Sequence, residues 1–186
     1  MEHTDREEIA ARILQAAAAM ELDAELGERP GEVVVVLPGE KKLKTVVSLL
    51  VGAREVSVSA FVVRNTDENH AEVYRHLLQR NLRLSAVGLA YAIDASGDVY
   101  VVGRMLPQDV TLDSLDALFG AMLGAADAPF NELLALGFLT SMKREWHWRI
   151  SRGESLRNLE AFRHLLEHSE PPPSRAMPQA ADPGVG

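Results

Sequence analysis

Three short runs near the start of the chain leave it few folds to choose from: EVVVVLP (residues 32–38), LKTVVSLLV (43–51) and REVSVSAFVV (54–63). Each is rich in β-branched residues, which pack well on a pleated surface and lose side-chain freedom in a helix. Each is also too short to be a stable helix, and the breaks between them, PGEKK and Gly52-Ala53, are turn sequences. Three consecutive strands joined by such short turns can pair in one way, as an antiparallel meander. The third run alternates, with Val56, Val58, Ala60 and Val62 on one face against Ser57, Ser59 and Phe61 on the other. One face of this sheet must therefore be covered, and the cover has to come from the rest of the chain.

Helical periodicity supplies it. From Thr4 onward Ile9, Ile13, Leu14 and Ala17 recur at helical spacing, with Thr4 and Asp5 suited to cap and Glu7 and Glu8 placed well for the helix dipole. This first helix is expected to run to about Gly27, where GERPG breaks the pattern. After the meander, Asn65, Thr66 and Asp67 can start a second helix with Val73, Tyr74, Leu77 and Leu78 as its apolar stripe, ending near Asn81. SAVGLAYAID then alternates: Val87, Leu89, Tyr91 and Ile93 face one way, and Ala86, Gly88, Ala90 and Ala92 make a face of very small residues. Asp94-Ala95-Ser96-Gly97-Asp98 is a hairpin signal before VYVVGRML, so the expected sheet has five strands.

Beyond Pro107 the pattern is helical throughout. Leu112, Leu115, Leu118, Phe119 and Met122 share a stripe, Pro129 suits a new first turn, and Phe138, Leu139, Met142, Trp146 and Ile150 continue at helical intervals. Ser155 can cap a last helix carrying Leu156, Leu159, Phe162 and Leu166. Residues 1–168 are expected to form a single α+β domain, and 169–186, with EPPPSRAMPQAADPGVG, a disordered Pro-rich tail by composition.

A net charge of -8 argues against nucleic acid, which is bound through clustered Lys and Arg. With no cysteine the chain has no disulfide, thiol nucleophile or thiolate metal site, which fits a reducing cytoplasm. The N-terminus lacks the pattern of a secretion signal, and no stretch approaches the roughly 20 apolar residues of a membrane span. HLLEH (164–168) has the spacing of two zinc-binding imidazoles around a glutamate base, but few residues follow it to supply a third ligand, so an exposed helix face is expected. PGEKKLKT lacks the second glycine of a phosphate loop and leads into a strand rather than a helix, so it reads as a lysine-rich hairpin tip. His70 and His76 point to different sides of their helix, Ser155 has no G-x-S-x-G frame, and Asp94 and Asp98 are turn formers. No catalytic residue, cofactor or metal is expected.

The order α-β-β-β-α-β-β-α, with LPGEKKLKTVV, FVVRNTDENHAEVYRHLLQRN, AIDASGDVYVVGR and REWHWRISRGESLRNLEAFRHL, resembles the actinobacterial branch of the YbjN-domain family. The resemblance implies a secretion-chaperone-like α+β fold, with helices on one face of a five-stranded antiparallel sheet and additional C-terminal helices. It also implies a protein that forms homodimers and binds protein rather than transforming a substrate, in a regulatory role, with no family catalytic residues to carry over.

KREWHWRISRGES (143–155) holds both tryptophans. Successive helical residues advance about 100°, so Trp146 and Trp148 point about 200° apart and cannot both be core. Trp146 continues the apolar stripe, whereas Trp148 lies nearer Arg144, Glu145 and Arg152. Tryptophan with arginine is the composition of interface hot spots, which makes Arg144, Trp148, Arg149 and Arg152 the candidate partner-binding residues. The last helix folding back onto Trp148 is the competing expectation. The expected function is a non-enzymatic, cytoplasmic, chaperone-like or regulatory protein-binding domain, without nucleic-acid or membrane partners. The alternative is a small-ligand sensor or enzyme using the sheet-helix crevice, with Lys41, Lys42 or Arg104 as the charge and Tyr100 beside it.

Overall fold

Valine-rich runs become strands, as their chemistry demands, but the sheet has six strands rather than five. The structure is a computed structural model that describes residues 3–168, so the tail at 169–186 lies outside the described residues. Its elements are α1 (His3–Ala19), β1 (Asp23–Leu26), β2 (Glu32–Pro38), β3 (Lys44–Val51), β4 (Val56–Val63), α2 (His70–Leu84), β5 (Leu89–Ile93), β6 (Val99–Met105), α3 (Leu112–Asp127), α4 (Phe130–Gly137), α5 (Leu139–Arg152) and α6 (Arg163–Leu166). The sheet is antiparallel in the order β1-β2-β3-β4-β6-β5. Two compact units divide the chain, one ending at Phe138 and the other beginning at Leu139.

The additional strand comes from the expected end of the first helix. α1 stops at Ala19 instead of near Gly27 because Glu21 turns left-handed, with φ of 57°. The Leu22 N–H then reaches back to the Ala17 carbonyl at 2.9 Å, and the Glu21 N–H to that of Ala18 at 3.1 Å. These are the two bonds of a Schellman closure, which usually carries glycine at this position. The glutamate hides the stop from a reading of the sequence. The turned chain pairs Asp23 with Val36 and Leu26 with Val33, adding β1 beside β2.

Within the first unit, alternation decides burial. Val33, Val35, Val47, Leu49, Val51, Val56, Val58, Val62, Val99 and Val101 are buried on the helix side, each fully buried Val or Leu contributing roughly 1.5–3 kcal/mol. α1 lies against β1–β3, α3 against β3, β4 and β6, α2 against β5 and α4 against β4. The Tyr91 hydroxyl donates to the Ala125 carbonyl at 2.6 Å, tying β5 to α3, and burial pushes its pKa up to about 12. The opposite face carries Val36, Val46, Phe61 and Tyr100, half-buried or exposed, with Phe61 and Tyr100 edge to face at 5.6 Å.

Loops are held by side chains distant in sequence. Asp127, buried at the end of α3, accepts the Lys41 and Lys42 N–H groups at 2.9 and 2.8 Å and so pins the β2–β3 turn. The second helix starts at His70, not at residues 65–67, because that segment caps α4: the Asp67 and Glu68 N–H groups both bond the Gly137 carbonyl, and Asn69 Nδ2 donates to Leu136. α2 also runs one turn past Asn81, to Leu84. α3 begins on a reciprocal Thr111–Ser114 capping box, and Pro129 stands at the α4 N-cap.

In the second unit, α5 is followed by a 3₁₀ turn over Arg157–Phe162 and the short α6, rather than by one long last helix. Met142, Trp146, Leu159, Phe162 and Leu166 are buried, as their periodicity predicts, but Ile150 of the same stripe is 53% exposed and Leu156 is only half-buried. Ser155 Oγ accepts the Arg157 N–H at 3.3 Å, but the expected cap is not there: the N-cap of this turn is Leu156, one residue on, and no side chain caps it.

Candidate functional site

Two exposed apolar regions stand out, one in each unit. In the second, α5 ends in a tryptophan and arginine surface. Trp146 is buried, with the Arg163 guanidinium 5.8 Å from its ring, whereas Trp148 is 48% exposed with Arg152 stacked at 5.2 Å. The segment after α5 thus meets Trp146, not Trp148. Arg144 is exposed and donates to Ser141 Oγ at 3.0 Å. Arg149 is more enclosed: it donates to Glu145 at 2.8 Å and to the Ser155 carbonyl at 3.0 Å, with Glu154 at 3.7 Å. Trp148 and Arg152 therefore form an exposed cation–π pair, and Arg149 ties down the helix end that bears them.

In the first unit the region is the outer side of α2 beside β5. Leu78, expected in the core stripe, is 67% exposed, and Leu82, one turn on, is 83% exposed. Ile93 of β5 is exposed next to them, and a groove of about 320 Å³ runs between helix and strand, lined by Tyr74, Leu77, Leu78, Asn81, Tyr91 and Ile93 among others. The available signal was the spacing of Leu78 and Leu82, an apolar pair a turn apart that the core stripe of Val73 and Leu77 does not need. β5 is an edge strand with neither charge nor proline, the kind that invites pairing with another chain. Asn81 blocks it: Oδ1 accepts the Tyr91 N–H at 2.7 Å and Nδ2 donates to the Tyr91 carbonyl at 3.3 Å. One side-chain amide thus occupies the central N–H and carbonyl that a further strand would use, and the leucines of α2 stand exposed beside it.

The remaining candidates are dispersed. Lys41 Nζ donates to the Ala128 carbonyl at 2.7 Å and Lys42 Nζ to that of Phe61, with burial lowering the Lys42 pKa against the opposing pull of Asp127. Arg104 is exposed and 3.3 Å from Glu55, on the sheet face that also bears Tyr100. His164 and His168 are exposed, and among the described residues no group of three or more His, Asp or Glu is placed to hold a metal ion. His70 bonds the Thr66 carbonyl at 2.7 Å, whereas His76 accepts from Arg80 and faces Glu132, and burial, with Arg80, lowers its pKa. Asp94 accepts the N–H groups of Ser96 and Asp98, as a turn residue does. No helix among the described residues is long and apolar enough to cross a membrane.

An antiparallel sheet in this element order with helices over one face defines an α+β fold. Its likeness to solved structures is consistent: one chain of the ExsC–ExsE complex matches with a TM-score of 0.52 at 20% identity, over 68% of this chain and 94% of that one. One chain of the HopA1–SchA chaperone–effector complex matches with a TM-score of 0.51 at 9% identity, over 71% and 98%. The particular family follows from sequence. Residues 10–135 match the model described as "YbjN: Putative bacterial sensory transduction regulator", and the chain belongs to the YbjN family. "Uncharacterized protein Rv0487" of Mycobacterium tuberculosis (strain H37Rv) is 52% identical over 139 residues, 75% of each chain, and "Uncharacterized protein ML2442" of Mycobacterium leprae is 53% identical over 134 residues, 72% of each.

Proposed function

We propose that this protein is a non-enzymatic, cytoplasmic protein-binding module, with residues 1–168 as its working domain and a homodimer as its working form. The observation that carries the reading is the pair Leu78 and Leu82, 67% and 83% exposed beside an apolar groove. Isolated apolar residues on a surface need no explanation, but protruding leucines next to a groove of their own size are self-complementary, as a two-fold interface requires. Charge supports the same geometry. Glu72 and Arg83 stand near opposite ends of α2, so antiparallel pairing of two α2 helices about Leu78 would bring Glu72 close to the partner's Arg83, twice over. Arg144, Trp148 and Arg152 then form the surface offered to a client, with Arg149 bracing the helix end. Chaperone–effector complexes with the same fold support the client half of this reading, and the absence of cysteine supports the compartment.

Sedimentation of the wild type and the Leu78→Arg, Leu82→Arg double variant tests the dimer. The expected result is a dimer for the first and a folded monomer for the second; equal masses would refute the α2 interface. Client binding is tested apart from it. Trp148→Ala with Arg152→Ala should lose proteins captured by the wild type and keep the dimer, and unchanged capture would remove these residues from the site.

A further inference from the structure

An amphipathic cleft of the first unit, distinct from the groove beside α2, lies between α1 and the β1–β2 hairpin, with a volume of about 530 Å³. Its α1 wall is made small by Ala10 and Ala11, with Leu14 beyond them, and its hairpin wall bears Leu26, which is 65% exposed. One charged side chain, Arg6, lines it and makes no ion pair among the described residues. The Arg6 stem lies so close over Gly31 that a Cβ there would fall 2.7 Å from Arg6 Cδ, and Arg6 Nε is buried with no hydrogen-bond partner. The other arginine, Arg29, is already neutralised: it donates to both carboxylate oxygens of Glu32, at 3.1 and 2.6 Å, and to Ser48. A partly enclosed guanidinium with an unsatisfied donor is stabilised by an anion far more than one in open water.

We infer that this cleft binds an apolar monocarboxylate, its carboxylate on Arg6 and its hydrocarbon along Ala10, Ala11, Leu14 and Leu26. The planar fork of arginine matches a carboxylate, and the alanines leave room for the hydrocarbon. A single charge fits best, because Glu7 and Glu28 stand exposed on the rim and would repel a dianion such as phosphate. The inference is independent of the protein-binding reading, since a small molecule probes it and the dimer does not enter.

Titration of the full-length protein with decanoate, decanol and acetate, followed by amide chemical shifts and calorimetry, tests it. Decanoate should saturate and shift the amides of 6–14, 26–29, 31 and 32, while acetate and decanol bind more weakly. Arg6→Gln should weaken decanoate by about tenfold or more and leave decanol unchanged, the loss of a charge-assisted bond. Ala11→Trp, at an exposed helix position, should fill the cleft and weaken both. No saturable decanoate binding, or equal binding by the Arg6→Gln variant, would overturn the assignment. The Leu78→Arg, Leu82→Arg variant should bind decanoate as the wild type does, so a failed dimer would leave this result standing.

Discussion

Replacing Asn81 by leucine removes the amide that covers the β5 edge and keeps the branching and heavy-atom count of the side chain. Two hydrogen bonds disappear, at 2.7 and 3.3 Å, and neutral bonds of this kind contribute about 1 kcal/mol each. Leucine is the better helix former by about 0.5 kcal/mol, so the net loss should be about 1.5 kcal/mol. For a unit of this size that corresponds to a fall in Tm of roughly 5 °C. The second consequence is association, because the Tyr91 N–H and carbonyl become available to another strand while the strand itself carries no charge to repel one. Far-UV circular dichroism during heating gives the first quantity, and light scattering over a range of protein concentrations gives the second. Gln79→Leu is the control, since it puts a leucine on the exposed side of the same helix without touching β5. An Asn81→Leu variant as stable as that control, and no more prone to associate, would refute the idea that this amide protects the edge.

Three further outcomes follow from the geometry. Gly31→Ala should destabilise by about 1–3 kcal/mol in chemical denaturation, because φ is +78° there and a Cβ would press on the Arg6 stem and on the Val51 carbonyl at 3.2 Å. Glu32 has its pKa lowered to about 2 by the hydrogen bonds from Arg29 and Ser48. Its stabilising contribution is therefore fully present above the ordinary value of 4.5 and is lost as pH falls from there toward 2, with a slope of at most about 1.4 kcal/mol per pH unit, lessened by the solvent around Arg29. Glu32→Gln should flatten that part of the stability curve, and an unchanged curve would contradict the assignment. Arg149→Ala should leave the buried Trp146 in place but speed hydrogen exchange at residues 151–154 by about tenfold, since the bonds to Glu145 and Ser155 hold that end of α5.

Local rules carried the reading of the chain a long way. Alternation in REVSVSAFVV places Val56, Val58, Ala60 and Val62 in the core, the Asp94 turn forms as its residues require, and Trp146 is buried while Trp148 is exposed, as a 200° separation implies. These features depend on residues within a turn or two of one another, and short-range geometry is written in spacing. The α1 stop at Glu21, with the strand that follows it, broke a local preference for glycine and so left no mark. The late start of α2 depends on the carbonyl of Gly137, some 70 residues away, and the fate of Lys41 and Lys42 depends on Asp127 at the end of α3. Exposure was settled at the same range. A helical stripe says that Tyr74, Leu77 and Leu78 share a side, but the packing of α2 on β5 decides that Leu77 is covered and Leu78 is not. The buried Arg6 Nε, without a hydrogen-bond partner among the described residues, is likewise the product of a hairpin closing over α1. Periodicity determines which side chains travel together, whereas burial depends on what distant segments bring against them, and that is why the surfaces on which function rests became visible only in three dimensions.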